Sequence, residues 1–194
     1  MNKCIKILLT LFILLLLCAC QGERPSRQAP IYDADGVYSG FSDIPEDYTV
    51  EDAAADGLMV IDSSLDTDRE SLAAGYEHWE DFQAAVAKGE NAFLRVAHFV
   101  DGVGYYHDLY FRDGKYTMFE SSPEYGITQK GPFQYLRKLE YEGDRENLQG
   151  SCYYVLTDSM ELTYHDVEWS FLSSNLTTVT DIPFEWLGFL VYFK

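Results

Sequence analysis

Three shortages narrow what this 194-residue chain can be. Positive charge is scarce: 14 Lys and Arg stand against 32 Asp and Glu, for a formal net charge of −18. Nucleic-acid binding needs clustered cations to neutralise phosphate, so this imbalance excludes it. Long apolar runs are missing, because none reaches the roughly 18 residues that a membrane-spanning helix requires. Familiar catalytic signatures are missing too: there is no Gly-x-Ser-x-Gly, no His-Glu-x-x-His and no phosphate-binding loop. What remains is 47% apolar, enough to build a core, and one domain is the default at this length.

The N-terminus carries the clearest signal. Lys3 and Lys6 open the chain, and residues 7–17 form an apolar run broken only by Thr10. That is the length of a signal-peptide core and too short to cross a bilayer. The run ends in Leu17-Cys18-Ala19-Cys20, which resembles the bacterial lipobox. The resemblance implies a signal peptide over 1–19 and acylation of Cys20, with an ordinary secretory signal cleaved elsewhere as the alternative. A diacylglyceryl (palmitate-type) anchor on Cys20 would hold the protein on the outer face of the cell membrane, since two acyl chains anchor stably where one does not.

Cysteine is then nearly used up. Four are present, but Cys4 and Cys18 leave with the signal and Cys20 carries lipid. Cys152 is left as a lone thiol in a strand-like stretch, so no intrachain disulfide is expected and an inert buried thiol is the plain reading.

Residues 20–48 read as the lipidated cysteine and a flexible tether, with Pro25, Pro30, Pro45 and several glycines but no periodicity. The globular part is expected over 49–194. Thr49 with Asp52 three residues on is a helix start, and Gly57 a stop. Residues 58–61 read as a short strand and 62–73 as an acidic loop. A second helix is predicted over 76–88, with Trp79, Phe82 and Val86 on one face. Period-two patterning follows over 93–100, 105–112 and 115–120, punctuated by the turn Asp101-Gly102-Val103-Gly104 and by Asp113-Gly114, a strong two-residue hairpin turn. Residues 121–132 look like a loop. Strands are predicted over 133–141, 151–157, 160–169 and 184–193. Two short helices packed on an antiparallel, hairpin-rich sheet make a two-layer α+β domain.

Three stretches carry a family resemblance. One is Tyr48-Thr49-Val50-Glu51-Asp52-Ala53 with Gly57 and Val60-Ile61-Asp62. Another is Trp79-Glu80-Asp81-Phe82 leading to Phe93-Leu94-Arg95-Val96. The third is the hairpin His107-Asp108-Leu109-Tyr110-Phe111-Arg112-Asp113-Gly114-Lys115. Together, residues 48–158 resemble a domain of unknown function that recurs in lipoproteins of Gram-positive bacteria. The resemblance implies a lipoprotein with an α+β fold and brings no catalytic residues with it.

Two kinds of site are expected from the residues. A binding surface would lie on the outward face of the hairpin, with Asp108, Tyr110, Tyr105, Tyr106 and Tyr116 exposed to stack on sugars or meet a protein. A metal site could draw on His98 and His107, which flank one turn. A four-residue loop sets them opposite, a two-residue loop sets them diagonally on one face, and a three-residue loop parts them. Asp62, Asp66 and Asp68 crowd an acidic stretch suited to calcium, in a region (51–90) that holds 11 acids against Arg69 and Lys88. No obligatory cofactor is expected, only weak Ca2+ or Zn2+ binding. The sequence thus points to a non-enzymatic module that binds an envelope protein or cell-wall glycan. A metal-ion or small-ligand lipoprotein and a cell-envelope hydrolase are the alternatives.

Overall fold

A computed structural model describes residues 29–64, 69–144, 151–172 and 180–188; for 64 and 69–73 it describes only the backbone. The expected signal peptide, the acylated Cys20, Asp66 and Asp68 lie outside the described residues. The chain is α+β. Its helices are α1 (Val50–Ala55), α2 (Tyr76–Ala87) and α3 (Tyr164–Leu172). Its strands are β1 (Met59–Ser64), β2 (Arg69–Ala74), β3 (Ala92–Val100), β4 (Val103–Arg112), β5 (Lys115–Ser122), β6 (Gly126–Phe133), β7 (Tyr135–Glu140), β8 (Cys152–Thr157) and β9 (Phe184–Trp186). A six-stranded sheet runs β2-β1-β3-β4-β5-β6, and a three-stranded sheet runs β7-β8-β9. All neighbours are antiparallel except β1 and β3, which are parallel, so the large sheet is mixed.

Local chemistry explains the helix starts. The Thr49 hydroxyl accepts from the Asp52 amide at 3.1 Å while the Asp52 carboxylate accepts from the Thr49 amide, a complete capping box on α1. Gly57 ends that helix at φ +70, and Gly75, at φ +76, starts α2. A Cβ at Gly75 would sit 2.3 Å from the Leu58 carbonyl oxygen, so only glycine lets α2 begin there. Both Asp-Gly turns have positive φ at each residue, 49 and 81 for Asp101-Gly102 and 52 and 76 for Asp113-Gly114, as two-residue type I′ hairpins demand.

Alternation then sorts the side chains of the large sheet onto two faces. One face carries Met59, Ile61, Leu94, Val96, Leu109 and Met118. These pack on Trp79 and Phe82 of α2 and on Leu156 and Leu187 of the small-sheet region. The other carries Val60, Ala97 and Phe99 under Ala53 and Leu58. Further along that second face, Tyr110 and Phe119 lie under Tyr38 and Phe41. A fourth cluster joins Val155 of the small sheet to Val167 of α3.

Four sequence expectations change. Residues 29–48 are not a free tether: Tyr38 and Phe41 are buried, and Tyr38 stacks on Phe119 with ring centroids 3.8 Å apart. The acidic stretch from residue 62 was expected as a loop but supplies most of the β1–β2 hairpin, because edge pairing uses backbone groups and tolerates polar side chains. Residues 126–133 form edge strand β6, where Pro132 needs no ladder donor. Residues 164–172 are helix, not strand. Thr163 and Asp166 form a second reciprocal cap, the Asp166 carboxylate accepting from the Thr163 amide at 2.8 Å and the Thr163 hydroxyl from the Asp166 amide at 3.2 Å. Of the closing strand expected over 184–193, Phe184–Trp186 is strand, and residues 189–193 lie outside the described residues.

Candidate functional site

The residues expected to form one exposed binding surface are divided by the sheet. Asp108 and Tyr110 are buried on the face covered by residues 31–44, and Tyr106 lies half-buried beside them. Tyr116 is buried on the opposite face against Phe111. Of the five, Tyr105 lines a cleft on that opposite face, and Tyr106 lines another, of about 520 Å3, beside Phe41 and Tyr48. The expectation assumed one solvated face, but both faces of this sheet are covered.

Asp108 anchors the covering segment. Asp101-Gly102 sets the register that places Arg95 opposite Asp108. Arg95 grips both carboxylate oxygens, Nε to Oδ1 and Nη2 to Oδ2, each at 2.6 Å. Its remaining donors reach back to residues 40–43, Nη2 to the Gly40 carbonyl and Nη1 to Asp43 at 3.1 Å. The Tyr38 hydroxyl donates to Asp108 and lies 2.9 Å from the Tyr110 hydroxyl. Burial works against the Arg95 charge, but hydrogen bonds and the charge of Asp108 outweigh it and hold the guanidinium firmly protonated. Burial, then Asp108, pushes the Tyr38 phenol up out of the titratable range. This is a structural clamp with every partner internal to the fold.

The other face carries a row of titratable groups at the rim of the core. The two-residue turn sets His98 opposite Tyr105 and His107 opposite Val96, so the histidines are diagonal on one face. His98 Nε2 lies 2.6 Å from the Ser63 hydroxyl. Burial, and then the neighbouring His107, lowers its pKa to about 4. His107 Nδ1 lies 3.4 Å from Glu120 Oε1. Glu120 also accepts from Thr128 at 3.3 Å and sits 3.9 Å from Lys130, whose ammonium is 3.1 Å from Glu185 on β9. The two carboxyls are displaced in opposite directions. The His107 contact outweighs burial and holds Glu120 below the usual carboxylate range, whereas burial raises Glu185 despite Lys130.

A cleft of about 370 Å3 opens over this row, lined by Tyr105, His107, Glu120, Tyr125, Thr128 and Lys130 among others. No family model matches the chain, and no curated protein or solved structure is detectably similar to it. The cleft's chemistry is therefore read from its own residues. It offers hydroxyl, carboxylate, imidazole and ammonium groups together with two tyrosine rings, which is a recognition surface rich in both donors and acceptors.

The expected metal ligands do not converge. Asp62 is exposed and shares its sheet face with Val60, opposite to His98. Among the described residues no group of three or more His, Cys, Asp or Glu side chains could hold a metal ion. Cys152 is buried, as expected of an inert thiol.

A larger cleft, about 540 Å3, lies between β7 and α3, and its lining reaches Gly143, beside the undescribed residues 145–150. Its imidazole, His165, is engaged within α3 at both nitrogens: Nδ1 is 3.2 Å from Glu168, and Nε2 accepts from the Trp169 indole. Among the described residues no helix is long and apolar enough to cross a membrane.

The sequence reading missed Glu120, Lys130 and Glu185. Counting outward from the Asp113-Gly114 turn, residue for residue, puts His107 opposite Glu120. The same count from Asp101-Gly102 puts Arg95 opposite Asp108. Lys130 and Glu185 had no such signal, because β6 looked like a loop and β9 is brought in from another sheet.

Proposed function

We propose that this chain is a lipid-anchored, extracytoplasmic binding protein that holds a component of the cell envelope in the β4–β6 cleft and catalyses no reaction. The N-terminal sequence supports the anchoring, through its basic start, its short apolar core and Leu17-Cys18-Ala19-Cys20. The resemblance of residues 48–158 to a domain of Gram-positive lipoproteins points the same way.

The observation that carries the binding half is the cleft itself, where aromatic rings stand beside a polar floor. Binding is favoured over acid–base hydrolysis by the position of Lys130. Glu120 and Glu185 differ in acidity as a catalytic pair would. Yet the lysine ammonium lies between them, in ion-pair range of both, where a scissile bond would have to sit.

Two measurements test the reading. Metabolic labelling with a tagged palmitate analogue is expected to mark the wild-type chain and not Cys20→Ser; an unlabelled wild type overturns the anchor. Crosslinked pull-down of the lipidated chain from its native membrane is expected to recover an envelope component that Tyr105→Ala and Thr128→Val recover poorly. Equal recovery by all three chains overturns the assignment to the cleft.

A further inference from the structure

We infer that the β4–β6 cleft binds an uncharged carbohydrate, taking one saccharide ring flat against Tyr125 with its hydroxyls turned to Glu120, Thr128 and Lys130. This rests on the binding reading above and adds the ligand's chemical class.

Charge is the first argument. The floor is already compensated: Lys130 is shared by Glu120 and Glu185, and His107 leans on Glu120. A cationic ligand would have to displace Lys130 from carboxylates that it already satisfies. An anionic ligand would meet the Glu120 carboxylate that lines the cleft, in a protein whose net charge is −18. An uncharged ligand disturbs no ion pair and faces no field.

Hydrogen-bonding capacity is the second. The Thr128 hydroxyl donates and accepts, Glu120 accepts, and Lys130 donates, all within a few ångströms along one register row and its neighbour. Neighbouring sugar hydroxyls are each donor and acceptor at once, and such a mixed floor can satisfy both roles.

The third argument is the rim. Tyr125 is 73% exposed at the β5–β6 turn, where its backbone amide donates to the Ser122 hydroxyl at 3.0 Å. The turn is thus fixed while its ring is left open to water. A pyranose presents an apolar C–H face beside a polar edge of hydroxyls. That matches a tyrosine ring set next to a polar floor. The cleft volume of about 370 Å3 suits a short saccharide and sits at the lower end of the small-ligand range.

The test uses the full-length chain in detergent micelles, with NMR signals followed during titration by four neutral probes: tri-N-acetylchitotriose, cellotriose, maltotriose and mannotriose. Concentrations rise to about 10 mM, enough to saturate a millimolar site. At least one probe is expected to shift Tyr105, Thr128 and Lys130 saturably. Tyr125→Ala, at an exposed position the fold does not need, is expected to weaken that probe about tenfold, the loss of one stacked ring. Trp169→Ala, an exposed aromatic on α3, is expected to leave it unchanged. The inference is overturned if no probe moves the cleft signals, or if Tyr125→Ala binds as well as wild type. It is also overturned if an extended peptide shifts the β6 amides while the sugars do not. An envelope component recovered in the pull-down without any sugar response would refute the ligand class and leave the binding reading standing.

Discussion

Replacing Asp108 by Asn is the sharpest test of the packing. The amide keeps the shape of the carboxylate and removes its charge. Asp108 is fully buried, and Arg95, which grips it with two bonds of 2.6 Å, has a side chain only 8% exposed. With the carboxylate neutral, the guanidinium keeps the Gly40 carbonyl and Asp43, and Asp43 is half exposed. Removing one partner of a buried ion pair costs about 3–5 kcal/mol, because the other charge stays buried without compensation. For a chain of this size each 1 kcal/mol moves Tm by about 2–4 °C, so Asp108→Asn should melt about 6–20 °C below wild type. Thermal denaturation followed by circular dichroism at neutral pH reads this directly. Arg95→Met with Asp108→Leu removes both charges and should recover most of the loss. The two single changes should therefore be strongly non-additive. An Asp108→Asn chain within about 0.5 kcal/mol of wild type, or strict additivity in the cycle, would refute the clamp.

Three further outcomes follow from the same geometry. His98 has a folded pKa of about 4 against an ordinary 6.5, so on acidification the unfolded chain takes up that proton first. Its contribution is fully present above about 6.5 and lost as pH falls towards about 4. His98→Gln should therefore flatten the acid limb of a Tm-against-pH curve in that window, and an unchanged slope would refute the assignment. Gly75→Ala should destabilise by about 1–3 kcal/mol or more, since the position combines φ +76 with a Cβ 2.3 Å from a backbone oxygen; a neutral effect in urea unfolding would count against it. Thr49→Ala removes half of the α1 capping box and should cost about 1 kcal/mol in the same assay, with Thr49→Ser nearly silent.

The elements legible in the sequence are those whose signals are local. The Thr49 cap, the apolar stripe through Trp79 and Phe82, and the two Asp-Gly turns are all written within a few residues, and each appears where expected. The Asp113-Gly114 turn even fixes cross-strand partners, so His107–Glu120 could be counted out beforehand, whereas Arg95–Asp108 depends on the first loop's being two residues long. Polarity misled where pairing is through backbone alone, as in the β1–β2 hairpin and β6. The α3 cap, Thr163 with Asp166, is also local and was overlooked because strands had preceded it. The burial of Tyr38 had no local signal at all. It depends on Phe119 and Asp108, some 70 residues away or more, and a segment rich in proline and glycine gives no sign that it will lie across a sheet.

That segment also decides how the fold carries mechanical load. A pull on the chain ahead of residue 31 reaches the large sheet through Tyr38, Gly40 and Asp43, and Arg95 and Asp108 pass it into β3 and β4. These are the two central strands of six, joined along their whole length, so the load is spread in shear and no edge strand is peeled away. The clamp works like the strain relief on a cable. Because it grips one face of the sheet while Tyr105, His107 and Glu120 project from the other, the cleft can keep its shape while residues 31–44 bear the pull.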